Sequence, residues 1–175
     1  MNVKQKITKK HLIIITILVA IIAVYALLGD NISNKFFAKK VKINSEKNLD
    51  LNIGEEIDVP IKINTDGFEI NALELFLRFD PEMLEIVSIN TDNSFVEIWI
   101  TDMPMYDNEK GKVSFAGGVP TPGFNGKGVL GSMVIKSKKT GKAKFEYKDN
   151  SRVLLNDGIG TSVETKYSPI VIKIN

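Results

Sequence analysis

The chain has no cysteine and a single histidine, His11, among its 175 residues. Lack of cysteine excludes a disulfide framework, a thiolate zinc site and a cysteine nucleophile. His11 lies near the N-terminus, so the rest of the chain has neither residue. That removes Ser-His-Asp and Cys-His catalysis and His-ligated zinc. A pair of carboxylates remains as a catalytic option. Glu69, Asp80, Glu82, Glu97, Asp102 and Asp107 are available, but no spacing singles out two of them, and they read as solvated strand faces and turns. No D-x-[DN]-x-[DN]-G loop is present. An excess of one charge is also missing: Lys and Arg total 23 against 21 Asp and Glu. Residues 1–28 hold Lys4, Lys6, Lys9 and Lys10 and no acid; setting these four aside leaves 19 basic against 21 acidic residues, net −2, in residues 29–175. The basic excess is a short tail, and no nucleic-acid-binding face is expected.

What is present begins with a long apolar run. Leu12 to Leu28 reads LIIITILVAIIAVYALL, seventeen residues without a charge, with the lysines before it and Asp30 after it. Such a run is at the short end of what crosses a bilayer as a helix, and the flanking charges put the N-terminus inside. The expected organisation is a basic cytoplasmic tail (1–11), a single transmembrane signal-anchor (12–28), a polar linker (29–45) and an extracytoplasmic domain (46–175). A cleaved signal peptide is the competing reading, because Val24-Tyr25-Ala26 fits a small-x-small cleavage pattern. Both readings export the domain.

Beyond Glu46 the hydrophobic period is two. Ile57, Val59, Ile61 and Ile63 alternate with polar residues and Pro60, which predicts a half-buried strand near a sheet edge. Leu73, Leu75, Leu77 and Phe79 predict a second strand with Glu74, Phe76 and Arg78 outward, stopped by Asp80-Pro81. Further strands are expected at 84–89, 95–100, 112–117, 129–136, 142–148, 152–155, 163–167 and 170–174, with 142–148 forming a hairpin with 129–136. An additional strand is expected to begin at 41–43. About nine short strands separated by turn signals, with no convincing helix, predict an antiparallel β-sandwich.

Gly126-Lys127-Gly128-Val129-Leu130-Gly131 matches G-x-G-x-x-G, but a β-like segment follows it, so it reads as a glycine-rich loop entering a strand. Asp149, Asn156 and Asp157 are calcium candidates by oxygen content, with Asp80 as a further contributor. The same residue types favour tight turns for their own reasons, and that reading is preferred. In 95–101 the Val96-Ile98-Ile100 side and the Phe95-Glu97-Trp99 side cannot both face one core. Either the aliphatic row is buried and Trp99 points outward, as part of a recognition surface with Tyr106 and Phe124 nearby, or Trp99 is core.

Four segments resemble cohesin domains, the dockerin-binding modules of cellulosome scaffoldins. Asn52–Ile61 is similar to their opening G-x-x-x-x-V-x-V strand, and Leu75–Leu84 to their Phe-Asp-Pro-x-x-Leu signature. Gly111–Gly118 with Gly126–Leu130 resembles their G-x-I-x-F strand and glycine loop, and Ser151–Gly158 their V-L-x-x-D-G element. The resemblance covers about residues 46–175. It implies an all-β jelly-roll sandwich of about nine strands, related to type-2 and type-3 carbohydrate-binding modules, here preceded by the N-terminal transmembrane helix. It also implies binding without catalysis or cofactor, with a dockerin-like protein or a polysaccharide as partner. Partners of cohesins dock on one sheet face. Its counterpart here is the strands at 73–79 and 112–117 with their loops, which gives Phe76, Arg78, Trp99, Tyr106 and Phe124 as candidate binding residues. A carbohydrate-binding module proper and a structural spacer of an envelope assembly are the alternatives.

Overall fold

The computed structural model describes residues 9, 16–20, 22–24, 39–46 and 49–175. The chain divides into two compact units, Met1–Lys39 and Lys40–Asn175. In the first, residues 9, 16–20 and 22–24 are helical, and Ile17, Leu18, Val19, Ile22 and Val24 are more than half exposed. Among the described residues no helix is long and apolar enough to cross a membrane. Residues 12–15, 21 and 25–28 of the expected anchor, and 29–38 of the expected linker, lie outside the described residues.

The second unit is built of strands: β1 (Val41–Asn44), β2 (Leu49–Leu51), β3 (Glu56–Asn64), β4 (Ile70–Arg78), β5 (Leu84–Asn90), β6 (Ile98–Trp99), β7 (Met105–Asp107), β8 (Lys112–Gly118), β9 (Lys127–Ser137), β10 (Gly141–Tyr147), β11 (Arg152–Leu155), β12 (Thr165–Tyr167) and β13 (Ile170–Ile174). They form two sheets. One has the order β12-β1-β3-β9-β5; the other has the order β2-β13-β10-β4-β8-β6, with β11 also on β4 and β7 also on β8. Period-two alternation turns one face of each sheet inward. Val59, Ile61, Met133 and Ile135 from the first sheet and Leu73, Leu75, Leu77, Phe115 and Phe145 from the second belong to one buried cluster. The two chain ends close this sandwich together. β1 runs parallel to β12 in the first sheet, and β2 runs parallel to β13 in the second.

The sandwich expectation holds, with thirteen strands in place of about nine. Segments of two or three residues such as β2, β6 and β7 are too short to show a period. The expected strand at 95–100 pairs only through Ile98 and Trp99. The expected hairpin of 129–136 with 142–148 does not form: β9 pairs with β3 and β5, whereas β10 pairs with β13 and β4. Residues 138–140 carry the chain between sheets, with Gly141 at φ 138°, a backbone conformation suited to glycine. The inward rows of β9 and β10 thereby enter the core from opposite sheets. The edge reading of Pro60 is correct only locally. β3 has neighbours on both sides, but β1 stops at the Asn44–Lys62 pair, short of Pro60. Ser45 fills the gap by donating its hydroxyl to the Pro60 carbonyl, 2.6 Å. The unit begins at Lys40, ahead of the expected end of the linker, because Val41 and Ile43 are core residues.

Two details complete the frame. The open edge of β5 is covered by side chains: Asn108 accepts from the Ile86 amide and donates to the Ile86 carbonyl, both 2.9 Å. Tyr147 of β10 and Tyr167 of β12 meet between the sheets with ring centroids 5.2 Å apart. Burial raises the Tyr147 phenol above its ordinary range, and among the described residues its buried hydroxyl has no hydrogen-bond partner.

Leu75 is fully buried in the middle of β4, and its neighbour Glu74 faces outward. Leu75→Ala is expected to cost about 2–5 kcal/mol through lost burial and a cavity. Glu74→Ala, which removes a surface ion pair, is expected to cost less than about 1 kcal/mol. Chemical denaturation of both variants checks the pair, and equal costs would overturn the assignment of faces.

Candidate binding surface

With Leu73, Leu75 and Leu77 held in the core, Ala72, Glu74, Phe76 and Arg78 must face outward. The β8 register sets Gly118, Ala116, Ser114 and Lys112 opposite them in that order. Ile98 of β6 lies opposite Gly118, and the Ile100 amide donates to the Ala116 carbonyl, 3.0 Å. From β7, Met105 lies opposite Ser114 and Asp107 opposite Lys112. On the other side of β4, β11 brings Leu154 to Ala72 and Arg152 to Glu74. Cross-strand rows therefore tile one open face, and its chemistry changes along the strands.

At the Gly118 end the face is aliphatic. Ile98 and Ile100 are 61% and 53% exposed and line a groove of about 440 Å³ with Ala72, Gly117, Gly118 and Pro120. In the middle, Arg152 Nε donates to Glu74 Oε2 at 2.8 Å, which holds the guanidinium above its ordinary pKa. At the Lys112 end a groove of about 260 Å³ lies among Phe76, Arg78, Lys112, Ser114 and Lys148. Phe76 is fixed where β10 and β11 fork from β4. There the buried Ser151 hydroxyl accepts from the Phe76 amide, 3.0 Å, and Ser151 and the Lys148 amide both donate to the Phe76 carbonyl. Arg78 Nη1 donates to the Lys110 carbonyl, 2.9 Å. The Lys110 backbone amide, and then its ammonium, hold the Asp107 carboxyl below the usual carboxylate range, while Asp107 raises Lys110.

Of the residues expected to form the surface, Phe76 and Arg78 lie on this face. Trp99 does not, which corrects its outward assignment. It registers opposite Gly117, packs against the core, and has its ring centroid 6.4 Å from that of Phe115. A Cβ at Gly117 would come within 2.6 Å of Val96 Cγ1, 2.8 Å of the Ile98 carbonyl oxygen and 3.2 Å of the indole, so glycine lets the whole segment from Val96 to Trp99 lie close over β8. Tyr106 registers opposite the inward Val113, and its hydroxyl donates to the Val87 carbonyl at 3.0 Å, beside the β5 irregularity. Phe124 stacks on Phe95 with centroids 4.3 Å apart and packs against the core. The calcium candidates are separated by β11, with Asp149 before it and Asn156 and Asp157 after it. Asp157 Oδ1 accepts from the amides of Ile159, Gly160 and Thr161, and the Thr161 hydroxyl leads the interactions that lower its pKa. Asn156 donates to the Pro122 carbonyl. Among the described residues no group of three or more acidic or histidine side chains is placed to hold a metal ion. The G-x-G-x-x-G run enters β9 as a strand, as expected.

Residue patterns alone missed Ile98, Ile100, Lys112 and Lys148 as members of the face. The available signal was Gly117-Gly118: a Cβ at Gly117 would crowd Val96, Ile98 and Trp99, and one at Gly118 would crowd the Asn71 carbonyl.

Against this geometry the comparisons with known proteins are direct. The cohesin-domain family model matches residues 40–174. The chain belongs to the cohesin-domain family. The Coh-OlpC cohesin of Clostridium thermocellum, solved in a type I complex with a dockerin, superposes with a TM-score of 0.61 at 13% identity, covering 78% of this chain and 94% of that one. CaCohA2 of Clostridium acetobutylicum gives 0.60 at 14% identity, with 78% and 92% covered. The cohesin module of a family 33 glycoside hydrolase from Clostridium perfringens gives 0.57 at 14% identity, with 78% and 96% covered. At these identities the likeness is one of fold. Among curated protein sequences none matches the chain.

The placement of Trp99 generates a stability test. Trp99→Ala is expected to cost about 2–4 kcal/mol by emptying the space over Gly117. Ile98→Ser, on the exposed side of the same strand, is expected to leave the melting temperature within a few degrees of wild type. Thermal melts decide, and a Trp99→Ala variant as stable as wild type would return the indole to the surface.

Proposed function

We propose that this chain is a non-catalytic docking module that binds a dockerin-like protein at the outer surface of the cell. The family match over residues 40–174 carries the reading. It is supported by an open sheet face with exposed aliphatic side chains at its β6 edge. A polysaccharide partner has less behind it. Sugar rings stack on exposed planar aromatics, whereas the lone tryptophan faces inward and Phe76 is the aromatic residue of the outward β4 row. Export rests on the sequence, with four lysines ahead of seventeen uncharged residues. In this reading residues 12–28 hold the domain at the membrane.

Two measurements test the proposal. Residues 40–175 are titrated calorimetrically against type I dockerins of Clostridium thermocellum and Clostridium acetobutylicum, beside cello-oligosaccharides. At least one dockerin is expected to bind with a Kd of about 1 μM or tighter, with no heat from the sugars. Sugar binding that is lost in Phe76→Ala, with no response to any dockerin, would replace the protein partner with a carbohydrate. For location, protease added to intact cells is expected to digest the domain and spare the lysine-bearing tail. A protected domain would rule out the proposed orientation, and a mature protein beginning near Leu27 would make the apolar run a signal peptide.

A further inference from the structure

The outward face carries two chemistries at its two ends, and the cations of the basic end have no ion-pair partner among the described residues. Arg78, Lys112 and Lys148 surround the smaller groove. Three acids in register with this face are engaged elsewhere. Glu146, in register with Arg78, pairs with Lys144 at 2.5 Å. Asp107, in register with Lys112, pairs with Lys110 at 3.0 Å. Glu74 pairs with Arg152 at 2.8 Å. Among the described residues no carboxylate lies within ion-pairing distance of Arg78, Lys112 or Lys148. Along β8, at about 3.4 Å per residue, this basic end lies about 14 Å from the row of Ile100 and about 20 Å from that of Ile98.

We infer that the partner is a protein segment with carboxylates at one end and aliphatic side chains at the other, and that this polarity fixes how it lies on the face. Charge complementarity selects the carboxylates, because three cations brought together without ion-pair partners of their own attract an acidic group. The exposed isoleucines bury apolar side chains, which a polyanion alone does not supply. At the aliphatic end, with Ala116 beside them, Gly118 and Ala72 keep the floor low between Ile98 and Leu154. Those two stand three strand spacings apart, or about 14 Å, which is wide enough for a helix about 10 Å across. The paired Glu74 and Arg152 in the middle favour neither sign. The inference rests on the reading of this face as the docking surface, and adds to it the composition and direction of what docks.

The test uses the full chain in detergent micelles and two fluorescent helical peptides of about 18 residues. One carries its leucines on one face near one end and its glutamates near the other; the second has the same composition, interleaved. The segregated peptide is expected to bind at least tenfold more tightly. Lys112→Glu is expected to lose at least tenfold of that binding and to flatten its salt dependence. Ile98→Ser is expected to weaken binding while leaving the salt dependence intact. Each variant is to melt near wild type, and Lys148→Glu serves in place of any Lys112 variant that does not. Equal binding of the two peptides would overturn the inference, as would polyglutamate or heparin binding as tightly as the segregated peptide. A well-folded Lys112→Glu variant that binds normally would do the same. Dockerins separate the two readings. A dockerin bound equally by wild type and Lys112→Glu overturns the polarity and leaves the docking function standing. Peptide discrimination without any dockerin binding keeps the polarity and removes the dockerin.

Discussion

The burial of Leu73, Leu75 and Leu77 is the constraint from which the rest of the domain follows. Three inward side chains on one strand fix its register against β8 and the sheet opposite, because a slip of one residue would exchange the two faces. The same alternation that buries the leucines sets Ala72, Glu74, Phe76 and Arg78 in a row to solvent. The open face proposed for docking is thus a consequence of core packing rather than a separate construction. Its side chains stand on a backbone whose hydrogen bonds are already satisfied within the sheet. A partner arriving there finds a preformed surface, and little backbone ordering opposes association.

A sandwich of this kind has edges to manage, and several side chains of functional aspect are used for that purpose. Asn108 stands in for a neighbouring strand at Ile86, and Tyr106 satisfies the carbonyl of Val87 where the β5–β9 register shifts. Edge amides and carbonyls left open invite pairing with another chain, so occupying them with side chains protects these edges. Asp157 similarly spends its carboxylate on three amides of its own turn. Polar and aromatic residues near a presumed surface are therefore ambiguous in sequence: the chemistry that suits recognition also suits closing a turn or an edge.

The sequence made the strand period legible, and with it the sandwich, the core face of β4 and the outward position of Phe76 and Arg78. It did so because alternation is a local property that both faces of a strand report. What it did not reveal depends on contacts distant in the chain. Trp99 packs inward beside Gly117, eighteen residues later, where a Cβ would crowd Val96 and Ile98 first and the indole next, and the choice between the two sides of 95–101 was undecidable without that partner. Strand pairing failed at 138–141 for a related reason. Two apolar strands joined by a short polar turn look like a hairpin, but each already has partners in a different sheet. Lys112 and Lys148 are unremarkable lysines until the register shows that the neighbouring acids are taken.

The separation of inner and outer rows also explains how so little identity preserves this fold. Relatives at 13–14% identity superpose over 78% of the chain. Inward positions tolerate exchange among apolar residues of suitable volume, and outward positions carry little of the stability. Partner choice can therefore change on the outer row while the inner row keeps the sandwich intact. Such a surface has no deep cleft in which a few groups could dictate a ligand. Specificity has to be written across strands, in the order of aliphatic, paired and unpaired cationic rows, and a partner is selected by matching the whole sequence of rows at once. Under the proposed polarity, binding energy and partner choice would have separate sources: the aliphatic rows at Ile98 and Ile100 would supply buried area, while the cations at the far end would reject segments whose charge pattern runs the wrong way.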